Sequence, residues 1–159
     1  MNAVVAVYAD WGIGAGGTQP LALKADRKRF RELTEGGAVI VGRRTMADFP
    51  GGRPLKNRVN LVLTRAAGEI GGATVVHSPA QAAAEAAKYE RVYVIGGAQV
   101  YRAMLPRVER VYVTKLDACP VSDVFFPNLD EDPGWKIVSE EAEREENGVR
   151  FRFCVYERI

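Results

Sequence analysis

Histidine occurs once, as His77, and cysteine only twice, as Cys119 and Cys154. One histidine excludes a multi-histidine metal site, and no metal is expected. Two cysteines in no metal-type spacing are too few for a disulfide scaffold. Nothing near either is arranged to lower a thiol pKa, so both are expected as small reduced residues. His77, ahead of Ser78-Pro79, reads as a loop residue before a helix, with no partner for catalysis. An excess of one charge is also missing: 22 Lys+Arg against 20 Asp+Glu leave +2, which argues for neither nucleic acid nor a membrane surface. No apolar run approaches the roughly 20 residues of a membrane span. Met1-Asn2-Ala3-Val4-Val5 lacks the basic opening of a signal peptide, so a cytoplasmic protein is expected. Linkers, repeats and low-complexity segments are absent too, and residues 1–159 are expected to form one domain.

What recurs is a short β-branched run, then Gly or Pro, then a helical pattern. Residues 3–8, 38–41, 59–64, 73–76, 92–95 and 111–116 read as strands, and 24–34, 79–88 and 99–105 as helices. Continuous apolar strands between helices indicate a mostly parallel sheet covered on both faces. Residues 135–143 and 150–158 instead alternate apolar with polar around Asn147-Gly148, a strong hairpin signal. The expected fold is an α/β domain with a mixed, mostly parallel sheet of about eight strands, flanked by helices and closed by a C-terminal antiparallel hairpin.

Gly12-Ile13-Gly14-Ala15-Gly16-Gly17 after the first strand matches G-x-G-x-x-G. A dinucleotide-binding fingerprint would open a helix inside that motif. Here Thr18-Gln19-Pro20 follows, and Val41-Gly42 runs into Arg43-Arg44 where an acid for the ribose is needed. The glycines read better as a long loop, the kind of segment from which lids are built.

Asp26 shares one face of the first helix with Leu23, Phe30 and Leu33, while Arg27, Lys28 and Arg31 take the other. A carboxylate on an apolar face is costly unless paired, and burial raises its pKa. The bland reading is an acid in the first turn favoured by the helix dipole. Two strand–Gly–helix junctions, at Gly42-Arg43-Arg44-Thr45 and Gly96-Gly97-Ala98-Gln99, let backbone approach a ligand at strand C-terminal ends. With Arg65 after Leu63-Thr64, they suggest a phosphorylated ligand, and clustered arginines suit a 2′-phosphate. A solvated basic patch is the alternative. In the loop Gly51-Gly52-Arg53-Pro54-Leu55-Lys56-Asn57-Arg58, Arg58 either clamps a carboxylate or simply blunts a strand end with charge.

Taken in order, Trp11-Gly12-Ile13-Gly14, Pro20, Ala25-Asp26…Phe30, Val41-Gly42-Arg43-Arg44-Thr45, Gly52-Arg53-Pro54-Leu55…Arg58, Ile95-Gly96-Gly97…Tyr101, Val113-Thr114 and Asp123…Phe126-Pro127 resemble the dihydrofolate reductases of bacterial chromosomal type, over essentially the whole chain. The resemblance implies NADPH-dependent reduction of 7,8-dihydrofolate by a monomer that also takes antifolate inhibitors. It places Asp26, Thr114 and Leu21 at the catalytic centre. Val4, Val5, Phe30, Phe49, Leu55, Arg58 and Ile95 join Asp26 and Thr114 around the substrate, with Arg58 on its α-carboxylate. It gives the cofactor Ala6, Ile13, Gly14, Gly42, Arg43, Arg44, Thr45, Leu63, Thr64, Arg65, Ile95, Gly96, Gly97, Ala98, Gln99, Val100 and Tyr101. It further implies a cis peptide between Gly96 and Gly97, and a closing loop over residues 9–21. The family usually carries tryptophan where this chain has Leu21, which keeps an apolar wall but donates no hydrogen bond. The alternative is a reductase of the same fold acting on another pterin or pyrimidine. Members of the pyrimidine reductase family lack the helix carboxylate together with the loop arginine, which are present here as Asp26 and Arg58.

Overall fold

The computed structural model describes residues 1–16, 19 and 21–159; Gly17, Thr18 and Pro20, part of the expected 9–21 loop, lie outside them. β1 (Asn2–Val7) and the short β2 (Gly12–Gly14) precede α1 (Lys24–Thr34), and β3 (Ala38–Gly42) leads into α2 (Arg43–Ala47). β4 (Val59–Leu63) and β5 (Thr74–Val76) are followed by α3 (Pro79–Ala86), and β6 (Val92–Gly96) by α4 (Ala98–Met104). β7 (Arg110–Leu116), β8 (Val124–Phe125), β9 (Trp135–Glu140), β10 (Arg144–Glu146) and β11 (Val149–Arg158) complete the order. Among the described residues, no helix is long and apolar enough to cross a membrane.

The main sheet runs β10-β11-β7-β1-β6-β3-β4-β5, with β9 also on β11. β7, β1, β6, β3, β4 and β5 are parallel, and β11 pairs antiparallel with β7. β9 lies against residues 154–158 of β11 and β10 against 149–151, so the two share one edge position and the sheet is eight positions wide. The run expected over 135–143 ends as a strand at Glu140, and β10 begins beyond it at Arg144. Glu140 faces Cys154 and Arg144 faces Phe151, so three residues of the edge oppose two of β11, a bulge that breaks the ladder. Asn147 and Gly148 both take positive φ, 52° and 78°, as a two-residue hairpin turn requires.

Pleat alternation sorts the core onto two faces. Ala3, Val5 and Val7 of β1, with Ala38 and Ile40 of β3, pack with Ala82 and Ala86 of α3 and Met104 of α4. Val39 and Val41 of β3, Val62 and Tyr93 turn the other way, toward Phe30 and Leu33 of α1. Both faces are covered, which is why the central strands are apolar throughout. Since β3 and β6 are parallel neighbours, with Val41 opposite Gly96, the two glycine junctions emerge side by side at one end of the sheet.

Candidate functional site

α1 delivers Asp26 to the edge of the second core face, and β7 brings Thr114 to meet it. The Thr114 hydroxyl donates to Asp26 Oδ1 at 2.6 Å, and Thr114 itself is 2% exposed. Burial is the main influence on the Asp26 carboxyl and raises its pKa above the ordinary aspartate range. The Thr114 hydrogen bond and the Arg29 guanidinium pull it back down, while the Glu146 carboxylate adds to the rise.

Beside this carboxyl lies one apolar cluster that gathers five of the expected substrate residues: buried Ile95 with half-buried Val4, Phe30, Phe49 and Leu55. Val5, by pleat alternation, packs into the opposite core face, so on the Val4 side it has only backbone to present. Leu21 is half-buried with Ala6 against Tyr8 and Leu23. The Leu21 side chain is apolar and adds no donor.

Arg58 arrives on a loop that is held from beneath. Asn60 of β4, 1% exposed, accepts from the Leu55 N–H at 2.9 Å and donates to the Leu55 and Arg58 carbonyls at 2.9 and 3.0 Å. The Arg58 guanidinium donates to the Lys56 carbonyl and to the Thr34 hydroxyl, which in turn donates to the Phe30 carbonyl. Partial burial lowers its pKa, and the nearby Glu35 counters that. The arginine and the Phe30 wall are thus tied through Thr34.

On the other side the glycine junctions touch. A Cβ on Gly42 would lie 3.1 Å from Val100 Cγ2, and one on Gly97 would lie 3.0 Å from Thr45 Oγ1. Gly96-Gly97 is a cis peptide. Tyr101, buried, donates from its hydroxyl to the Val4 carbonyl at 2.6 Å, so it spans from the glycine junction to the apolar cluster. Arg43, Arg44, Arg65 and Gln99 are exposed around the junctions; Ala98, Leu63 and Thr64 are half-buried. The Thr64 carbonyl is 2.9 Å from His77 Nδ1, which makes His77 a turn-stabilising residue.

Among its described residues, the glycine-rich segment is held at several points. β2 pairs with β8, the Gly14 carbonyl accepts from the Asp123 N–H, and the Gly16 N–H reaches the Asp123 carboxylate at 3.0 Å. Gln19 closes back onto β1, donating to the Ala6 carbonyl at 2.9 Å. Ile13 leans on the first core face.

Sequence reasoning passed over two side chains. Asn60 was signalled by a lone amide inside an apolar strand, next to the Arg58 loop. Glu146 accepts the N–H groups of Lys24 and Ala25 at the start of α1; it stands beside the Asn147-Gly148 turn, but nothing local says what it faces.

These features define an α/β domain whose sheet end carries an apolar cluster beside a half-buried carboxyl on one side and glycine backbone with exposed arginines on the other. A family model described as Dihydrofolate reductase matches residues 1–158. The chain is 37% identical to the dihydrofolate reductase of Bacillus subtilis over 158 residues, covering 98% of this chain and 92% of that one. It is 39% identical to that of Mycobacterium tuberculosis over 151 residues, covering 92% and 90%. Its fold superimposes with a TM-score of 0.88 on a dihydrofolate reductase from Enterococcus faecalis complexed with NADP(H) and RAB-propyl, at 32% identity over 99% of this chain and 95% of that one. The chain belongs to the dihydrofolate reductase family and is an oxidoreductase.

Proposed function

We propose that residues 1–159 act as one catalytic domain that reduces 7,8-dihydrofolate to 5,6,7,8-tetrahydrofolate with NADPH, as a cytoplasmic monomer supporting one-carbon metabolism. The observation that carries this reading is the Asp26–Thr114 pair, a carboxyl with raised pKa set at the edge of an apolar wall.

The glycine junctions fit a pyridine nucleotide. Side chains at Gly42 or Gly97 would crowd Val100 and Thr45, so only glycine leaves the backbone open to close approach. Arg43, Arg44 and Arg65 stand near enough to supply charge for phosphates, and their number favours NADPH over NADH. Gly96 to Tyr101, with Leu63, Thr64, Thr45, Ala6, Ile13 and Gly14, would complete the cradle. Held there, NADPH would supply the hydride for C6 of the pterin.

The chain's own residues do the rest. Asp26 hydrogen-bonds N3 and the 2-amino group of the pterin, with Thr114 holding the carboxyl in place. Burial raises its pKa, which suits a carboxyl that supports protonation of N5, directly or through water. Leu21 excludes solvent beside that path but orders no water. Val4, Phe30, Phe49, Leu55 and Ile95 hold the ring and linker, and Arg58 pairs with the α-carboxylate of the glutamate tail. The same wall would receive antifolate inhibitors.

The test is NADPH oxidation by the purified protein, followed by absorbance with and without dihydrofolate. Oxidation that requires dihydrofolate is the expected result. NADPH binding without consumption would reassign the site to another pterin or pyrimidine substrate.

A further inference from the structure

The Asn147-Gly148 turn lies outside both the apolar cluster and the glycine junctions, yet the residue before it aims its side chain at α1. It closes β10 on β11 with Glu146 directly opposite Val149. From there the Glu146 carboxylate crosses to the helix: Oε2 accepts the Lys24 N–H at 2.6 Å, and Oε1 accepts the Ala25 N–H at 3.0 Å. These are the first two residues of α1, and the N-cap position, Leu23, makes no side-chain cap bond. The first N–H groups of a helix lack partners within it and form the positive end of its dipole. An acid 122 residues away therefore does the work of an N-cap, and the next residue along the helix is Asp26.

We propose that Glu146 is a positioning residue for Asp26, clamping the first turn of α1 with both carboxylate oxygens so that the Asp26 carboxyl is held against Thr114. This role rests on Asp26 being the group that handles the proton. The same clamp has an electrostatic consequence. Thr114 on β7 and Arg29 on α1 favour the ionised form of Asp26, whereas burial and the Glu146 charge on β10 oppose it. Tyr101 on α4 is also within electrostatic reach and stays a neutral phenol, its pKa raised by burial. Glu146 itself is kept ionised chiefly by the two backbone N–H groups, with Lys24 and Arg27 adding their charge. Its negative charge is thus held close to Asp26 across the neutral range, and it biases Asp26 toward keeping its proton.

Glu146→Gln keeps one acceptor and loses the second, together with the charge. The Asp26 carboxyl is titrated by carbon NMR in the full chain and in the variant, beside the pH profile of turnover and a thermal melt. The expected result is a lower Asp26 midpoint in Glu146→Gln. On the alkaline limb, turnover should fall about two- to threefold, the effect of one like charge removed across solvent-exposed protein. On the acid side turnover should be kept. An Asp26 midpoint that does not move, together with turnover unchanged at every pH, overturns the positioning role and leaves Glu146 a cap for the helix alone. The NMR midpoint is read without turnover, so it would stand or fall independently of the substrate. Conversely, wild-type reduction of dihydrofolate would survive a failure of the Glu146 role.

Discussion

Replacing Thr114 with valine removes one hydroxyl from the centre of the site and leaves its shape. Thr114 is 2% exposed and its backbone is paired with Ala6 on one side and Phe153 on the other, so the strand keeps its place and no water enters where the oxygen was. The lost bond is the 2.6 Å donation to Asp26 Oδ1. Such a bond to an ionised carboxylate is worth about 1.5–3 kcal/mol and to a neutral partner about 0.5–1.5 kcal/mol. The difference, about 1–1.5 kcal/mol, is stabilisation given only to the ionised form and corresponds to about one pH unit. Because Thr114 lowers the Asp26 pKa, its removal must raise it. Single-turnover hydride transfer at saturating dihydrofolate, measured across pH, should show the midpoint about one unit higher in Thr114→Val. The variant should then be slower at acid pH, if at all, and relatively faster at alkaline pH. A midpoint that stays put or falls would refute either the donation to Asp26 or Asp26 as the titrating group.

Other substitutions separate binding from chemistry and stability. Arg58→Ala should raise KM for dihydrofolate about 10- to 100-fold through the lost carboxylate pairing, with NADPH affinity unchanged in a direct titration. Asn60→Ala leaves the Leu55 amide and carbonyl and the Arg58 carbonyl without their buried partner. It should cost about 2–3 kcal/mol, a Tm lower by about 5–10 °C, and raise KM because the Arg58 loop loosens. Asp26→Asn should raise stability at neutral pH. The native carboxyl has the higher pKa, so wild-type stability is full in acid and is lost as pH rises from the ordinary aspartate range through the raised value. Paired thermal melts should show the variant's advantage at neutral pH, about 1.4 kcal/mol for each pH unit of elevation, and its disappearance in strong acid.

Much of this was legible wherever a periodic pattern met a local stop signal. α1 occupies the residues 24–34 read from its apolar face, and Asn147-Gly148 makes the turn its dipeptide requires. β2, β8 and α2 span three, two and five residues, too short to show a period, and β2 finds its partner more than a hundred residues away. The early end of the 135–143 run at Glu140 depends on an extra residue opposite β11, which only the pairing reveals. From spacing alone, Asp26 reads either as chemistry or as a first-turn acid and Arg58 either as a clamp or as strand-end charge; only the ordered set of motifs favours the chemical reading. Asn60, marked only by a lone amide in an apolar strand, and Glu146, not marked at all, hid their partners for a different reason. Each acts on backbone groups, and backbone donors and acceptors leave no mark in the sequence.

The most direct measurement is turnover of Asp26→Asn at neutral pH beside its affinity for NADPH. If Asp26 supplies the proton path, turnover with dihydrofolate should fall by orders of magnitude while NADPH binding stays near wild type. Near-normal turnover in the asparagine variant would contradict the account and reduce Asp26 to a structural acid in the first turn of α1.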